Sequence, residues 1–471
     1  MAPDRPNLLF VLTDQQCADA LSCAGNPWVS TPNLDRLAAR GVRFSASYCA
    51  FTLCTPARGS IFSGRMPHQH EAVSVSGRYG EMREDLLPHT AGRVMNTAGY
   101  QCAYGGKWHL GRGEPGCSID GRGLHGFERI CGLNDVKLAE ACVEFLTRRD
   151  RARPFFLVAS FDDPHNICEW AHGVSLPWGE LPEPPREEDC PPLPVNFARE
   201  PYQPTAVKLA YDKRRAGHFD VDWSLREWRQ YRWAYYRLVE RVDQRIGVLL
   251  DGLDALGLTD STLIVFTSDH GEQLGAHGLQ QKMVMYEESV RVPLIVVAPG
   301  SDREARRGVV CDVPVSAGID LMPTWCDYAG VTPPADLPGR SLPPLVARDD
   351  DAERAARAAG VFVEMCGTPD WRGLIGDGAR MVRSHRFKYV VFHHGRPNEQ
   401  LFDLHNDPGE MVNRAFCSTY RDTLTHHRDP LRAWMHRTAD RFGSTHYAFV
   451  PSSLDHALLP GDRYPIKDTP Q

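Results

Sequence analysis

Apolar and polar residues alternate in two kinds of block through the first 330 or so positions. NLLFVLTD (7–14) is a nearly continuous apolar run, the pattern of a strand covered on both faces. In STPNLDRLAARG (30–41) the apolar positions fall at helical spacing. Thr31 serves as N-cap, Pro32 opens the first turn and Gly41 stops it. GYQCAYGG (99–106) predicts another strand, and PFFLVASFDD (154–163) and STLIVFTSDHG (261–271) two more, both ending in acidic residues. Between those two lies a long amphipathic helix, 225–257. Alternating strands and helices predict an α/β fold. Such a sheet places its site beyond the carboxyl ends of its strands, where the acidic residues and histidines fall.

The pattern then loosens. Residues 174–204 are rich in proline and lack periodicity, which suits a surface excursion or an insert lining a pocket. After a second proline-rich stretch at 332–345, RMVRSHRFKYVVFHHG and EQLFDLHNDPGE read as two strands with an Asn-Asp-Pro-Gly turn. The expected division is a catalytic α/β domain over 1–345 and a smaller α+β subdomain with an antiparallel sheet over 346–471.

A hydrophobic fraction of 42% and a charged fraction of 24% are those of a globular protein. The net charge of −7 leaves no basic surplus for nucleic acid. No segment is long enough to span a bilayer. The apolar run near the N-terminus, LLFVL, ends at Thr13 and Asp14 without a cleavage site, so a first strand and a cytoplasmic location are expected, or a periplasmic one if a leader was removed. The fourteen cysteines show no zinc-ribbon spacing and read as small buried hydrophobes.

Six clusters carry candidate chemistry. Asp14 and Gln15 follow the first strand, and Asp269 and His270 follow the one at 261–271. Two carboxylates, an amide and an imidazole suit a divalent cation that prefers oxygen, Ca²⁺, Mg²⁺ or Mn²⁺, although each dipeptide alone is also an ordinary strand-end turn. GGKWHLG places Lys107 and His109 at i, i+2, which puts both on one face of an extended segment. DDPHN and QQKMVMYEE add His165 and Lys282. In CTPARGS, Cys54 stands four residues before Arg58 where a loop enters a helix. A cation site, lysines, histidines and a nucleophile suit cleavage of an anionic oxyester.

C-T-P-A-R resembles the C-x-P-[S/A]-R signature of the sulfatase family in the alkaline phosphatase superfamily. TPNLDRLAARGVRF, GKWHLG, DHGEQLGAHG and LFDLHNDPGE resemble further motifs of that family, in the same order. The resemblance implies a large mixed, mostly parallel sheet between helices, and sulfate ester hydrolysis. It implies that a formylglycine-generating enzyme oxidises Cys54 to formylglycine. The hydrated aldehyde then attacks sulfur in line, and collapse of the resulting ester expels sulfate. It further implies that Asp14, Gln15, Asp269 and His270, with the modified Cys54, hold a cation, with Ca²⁺ expected ahead of Mn²⁺ or Mg²⁺. Arg58 would orient the formylglycine, Lys107 and Lys282 would bind sulfate oxygens, His165 would protonate the leaving oxygen, and His109 would bind or deprotonate the diol. Gln15 and His270 depart from the Asp and Asn of many arylsulfatases, and resemble choline-sulfatase and phosphonate-monoester-hydrolase branches.

His277 is expected on the substrate, and His68, His70, Arg78 and Trp170 are further rim candidates. The expected substrate is a sulfate ester of a carbohydrate or small alcohol. A phosphonate monoester or phosphodiester hydrolase with the same machinery, a non-catalytic carbohydrate-binding relative and a Cys54 thiolate hydrolase are the alternatives. The tail 446–471 is long enough to reach a neighbouring subunit in a homo-oligomer.

Overall fold

The computed structural model describes residues 5–75, 77–111, 124–208, 222–300, 304–366, 378–393 and 397–442. The side chain of Arg78 and the tail 446–471 lie outside the described residues. Its strands are β1 (Asn7–Asp14), β2 (Val42–Phe44), β3 (Ser47–Tyr48), β4 (Gln101–Gly106), β5 (Glu128–Cys131), β6 (Phe155–Pro164) and β7 (Thr262–Ser268). They continue with β8 (Leu294–Val297), β9 (Val309–Cys311), β10 (Val315–Ser316), β11 (Val361–Met365), β12 (Ala379–Arg383), β13 (Phe387–Phe392) and β14 (Glu399–Asp403).

The central sheet has eight strands in the order β5-β4-β6-β1-β7-β8-β2-β9. Only β8 runs against its neighbours, β7 and β2. β1 sits between β6 and β7, and its period-two alternation feeds two cores. Leu8, Phe10 and Leu12 pack on one face with Ile61, Phe62 and Trp325. Leu9 and Val11 pack on the other with Leu34, Leu138, Leu146, Ile246 and Leu250. The helices Pro32–Arg40, Asp135–Arg148 and Leu225–Ala255 supply that second layer. The mixed sheet between helix layers is the fold the sequence implies. No helix among the described residues is long and apolar enough to cross a membrane.

β11-β12-β13-β14 form an antiparallel sheet backed by the helix Arg421–Arg437. RMVRSHRFKYVVFHHG, expected as one strand, contributes two. The chain reverses at Ser384–Phe387, where the Ser384 amide donates to the Phe387 carbonyl at 2.9 Å. An alternating run gives no sign of a reversal built from Ser-His-Arg in place of Gly or Pro. This sheet joins the central body at Glu364, whose amide donates to the Ala50 carbonyl at 2.9 Å, just before the helix that carries Cys54. Residues 174–204 are irregular, and they pack Leu176 and Cys190 against Trp228 and Tyr231 of the long helix.

Candidate active site

Adjacent central strands bring the first two clusters together. β1 ends at Asp14 and β7 at Ser268, and the parallel register sets Thr13 beside Ser268. Gln15 turns out of the strand at φ +70, and its amide donates to Asp269 Oδ1 at 3.1 Å. The His270 amide donates to the same oxygen at 2.9 Å. These local bonds hold both carboxylates at the sheet edge, where Asp14, Asp269 and His270 are fully buried.

The helix Cys54–Ser63 enters this edge end-on, with all ten of its residues buried. Its cap residue, Leu53, offers no side-chain acceptor, and the positive end of the helix dipole at Cys54 favours negative charge there. Cys54 is the first helical residue. Its Sγ lies 3.2 Å from His270 Nε2, and 3.7 Å from both Asp14 Oδ1 and Lys282 Nζ. Burial and Asp14 push the thiol up, but Lys282, His270 and Lys107 outweigh them and hold it well below the ordinary thiol range. One turn on, Arg58 makes four contacts and is wholly out of water. Nε donates to Asp269 Oδ2 at 2.8 Å, Nη2 to Asp14 Oδ2 at 3.1 Å, and Nη1 to the Lys107 carbonyl at 2.6 Å and Ser160 Oγ at 2.9 Å.

Lys107 follows β4 because Gly106 can take φ +90, and because a Cβ there would stand 1.9 Å from the Ser160 carbonyl. Its Nζ lies 2.9 Å from Asp14 Oδ2 and 2.8 Å from Asp162 Oδ1. Against the cost of burial, those two carboxylates hold its pKa well above the usual lysine value, and Lys107 in turn keeps Asp14 well below the carboxylate range. His109 reaches the same side by a different route from an extended i, i+2 pair. The chain turns at His109 with φ +55, while the intervening Trp108 packs away against Phe62 and Tyr104 at 5.4 and 5.0 Å. Both His109 ring nitrogens are buried without a hydrogen-bond partner, and burial lowers its pKa. Lys282 Nζ contacts Gln15 Oε1. His165 is half-buried, its amide donates to the Asp162 carbonyl at 2.9 Å, and its charge acts on both Asp14 and Asp162.

The donor set fits a divalent cation. Ligand atoms of Asp14, Cys54, Asp269 and His270 all lie within 4.8 Å of one another. His270 Nδ1 donates to the Gly271 carbonyl at 3.0 Å, which leaves the lone pair of Nε2 directed into the cluster. Lys282 Nζ contacts both Gln15 Oε1 and Cys54 Sγ, which sets the Gln15 oxygen beside this cluster.

Four candidates sit elsewhere. His277 is fully buried, its ring stacked on Tyr286 with centroids 3.7 Å apart, in a group with Glu288 and Glu410; burial pushes its pKa down to about 3. His70 is buried against Ser60 Oγ at 3.0 Å. His68 pairs through Nδ1 with Glu364 Oε1 at 2.6 Å and through Nε2 with the Thr438 carbonyl at 3.0 Å, tying the C-terminal sheet to the body. Trp170 packs 6.3 Å from the Tyr231 ring. Conversely, Asp162 and Glu272 touch the site residues and were not singled out. Both stand inside motifs already described, DDPHN and DHGEQ, which are the signal that marks them.

Residues 6–331 match the Sulfatase family model, and residues 275–436 match that of the N-sulphoglucosamine sulphohydrolase C-terminal region. The chain is 28% identical to a Delta 4,5-hexuronate-2-O-sulfatase of Bacteroides thetaiotaomicron, over 100% of this chain and 96% of that one. It is also 28% identical to an N-acetylglucosamine-6-O-sulfatase of the same organism, covering 87% and 82%. The solved structure of a 2-O GAG sulfatase superposes with a TM-score of 0.80 at 26% identity, covering 94% of this chain and 97% of that one. With the metal-ligand cluster and the buried Cys54-Arg58 pair on one helix, these matches place the chain in the sulfatase family, as a sulfuric ester hydrolase.

Proposed function

We propose that this sulfatase removes a sulfate monoester from a sugar, with Cys54 as the position of the nucleophile. The observation that carries this reading is the seat of Cys54 Sγ, in contact with His270 and Asp14 on one side and Lys282 on the other. Asp14, Gln15, Asp269 and His270 would hold a divalent cation, which would supply Lewis acidity to an oxygen nucleophile; formylglycine made from Cys54 by a separate maturation enzyme would provide that oxygen.

The remaining residues divide the work. Arg58 is anchored by two carboxylates and fixes the modified side chain from below. Lys107 and Lys282 flank it and bind sulfate oxygens, favouring charge that shifts to those oxygens in the transition state. His109, buried and neutral, accepts the proton of the attacking oxygen. His165, nearer to solvent, gives a proton to the leaving sugar oxygen.

A sulfate monoester and a phosphonate monoester each carry one negative charge, so turnover must separate the two.

A peptide mass at Cys54 lower by about one water marks formylglycine. With that protein, an aryl sulfate should be cleaved faster than an aryl phosphonate monoester. Among sugars, a 2-O-sulfated unsaturated hexuronate and N-acetylglucosamine 6-sulfate are the two to compare. Faster phosphonate cleavage would overturn the sulfatase assignment of the site.

A further inference from the structure

Gln15 is the ligand whose chemistry depends on which way it faces: its oxygen can bind a cation and its NH₂ cannot. Cys168 Sγ lies 3.7 Å from its nitrogen and 3.9 Å from its oxygen and so does not distinguish the two, whereas Glu272 and Lys282 do. Glu272 Oε2 accepts from Gln15 Nε2 at 2.7 Å, and the Lys282 ammonium contacts Gln15 Oε1. Glu272 is fully buried and is itself locked. Its other oxygen, Oε1, accepts from Tyr231 Oη at 2.9 Å, the Gln281 amide at 2.6 Å and the Leu274 amide at 3.2 Å. With three donors fixed on Oε1, only Oε2 is left for Gln15.

We propose that Glu272 is a positioning residue that selects the metal-binding orientation of the Gln15 amide. The inference rests on Gln15 belonging to the metal shell. Outside the shell, the carboxylate forces the NH₂ toward itself and so turns the oxygen toward the cation.

The test exploits the asymmetry of Glu272. In Glu272→Gln the three donors retain the oxygen at the Oε1 position, so the new NH₂ occupies the Oε2 position. Two NH₂ groups then meet, and Gln15 either keeps that clash or turns its NH₂ onto the Lys282 ammonium and the cation; both cost cation affinity. In Gln15→Glu, two carboxylates meet instead. In Gln15→Glu/Glu272→Gln the new amide donates to one oxygen of the new carboxylate, and the other faces the cation.

Full-length protein stripped with EDTA is titrated calorimetrically with Ca²⁺ and then with Mn²⁺. The expected result is affinity about 10- to 100-fold weaker for each single variant, and within about threefold of wild type for the double. Melting in EDTA should be little changed in Glu272→Gln. Either single variant binding as wild type does, or a double variant no better than the singles, overturns the proposal. Wild type and Asp269→Asn both failing to take up either ion would instead overturn the metal shell itself.

Discussion

Arg58 Nε lies 2.8 Å from Asp269 Oδ2, and neither side chain has any exposed surface. The same guanidinium reaches Asp14, so one cation ties together the two carboxylates that end β1 and β7. Buried pairs of this kind contribute little against an apolar replacement of both partners, but removing one partner strands the other's charge. Arg58→Met should therefore cost about 3–5 kcal/mol of unfolding free energy in denaturant titrations. Arg58→Lys cannot place donors on four acceptors and should recover only part of that loss. Wild-type stability in Arg58→Met would show that the pair carries no net structural role.

Lys107 and Lys282 contact the Cys54 neighbourhood from different segments, so their losses should be separable. Either change to Ala removes one donor to the sulfate and should raise the barrier by about 3–4 kcal/mol, read as a fall of about 10²–10³ in kcat/KM. Lys107→Ala should in addition lower the melting temperature, because Asp14 and Asp162 lose their shared partner. Unchanged rates in both variants would remove the lysines from the reaction.

Much of this site is legible in the sequence because its residues end strands. Asp14, Asp269 and Lys107 each stand just past an apolar run whose periodicity is unmistakable, and a parallel sheet gathers such ends at one edge. Cys54 and Arg58 are readable because one helical turn separates them. The burial of His277 is not legible in the sequence, because it depends on Tyr286 and Asn196, from segments that no local pattern connects to it. Asp162 and Glu272 are hard to read for a related reason: their importance lies in partners 55 and 257 residues away. The split of 380–392 into β12 and β13 was hidden by a reversal without glycine or proline.

Removal of the metal should be visible in stability. Burial and the Asp14 charge push the Asp269 carboxyl up to about 6, so a cation shared by both relieves a like-charge contact. Saturating Ca²⁺ or Mn²⁺ at about 100 times Kd adds about 2.7 kcal/mol. For a chain of this length unfolding as one unit, that is about 3 °C in Tm. Because a proton on Asp269 competes with the ion, the increment should shrink as pH falls through about 6. An increment that is equal at pH 5 and pH 8, or that survives in Asp269→Asn, would count against these ligands.

Glu200, in the proline-rich stretch, supplies a pH dependence independent of catalysis. Only 2% of it is exposed, and burial raises its pKa from 4.5 to about 7 although Gln400 Nε2 and Tyr286 Oη donate to its Oε2 at 2.7 and 3.1 Å. Its Oε1 is buried without a donor, which is where a proton would sit. Between pH 4.5 and 7 the folded protein keeps a proton that the unfolded chain has lost, so stability must fall as pH rises through that window. The shift corresponds to about 3 kcal/mol, fully present as a penalty above pH 7. Glu200→Gln keeps an acceptor for Gln400 and Tyr286 and carries no charge at any pH. Relative to wild type it should gain about 3 kcal/mol in urea unfolding on going from pH 4 to pH 8.5. If the two proteins show parallel stability curves across that range, Glu200 titrates alike in the folded and unfolded chains, and the packing of 174–204 against β14 does not hold its proton.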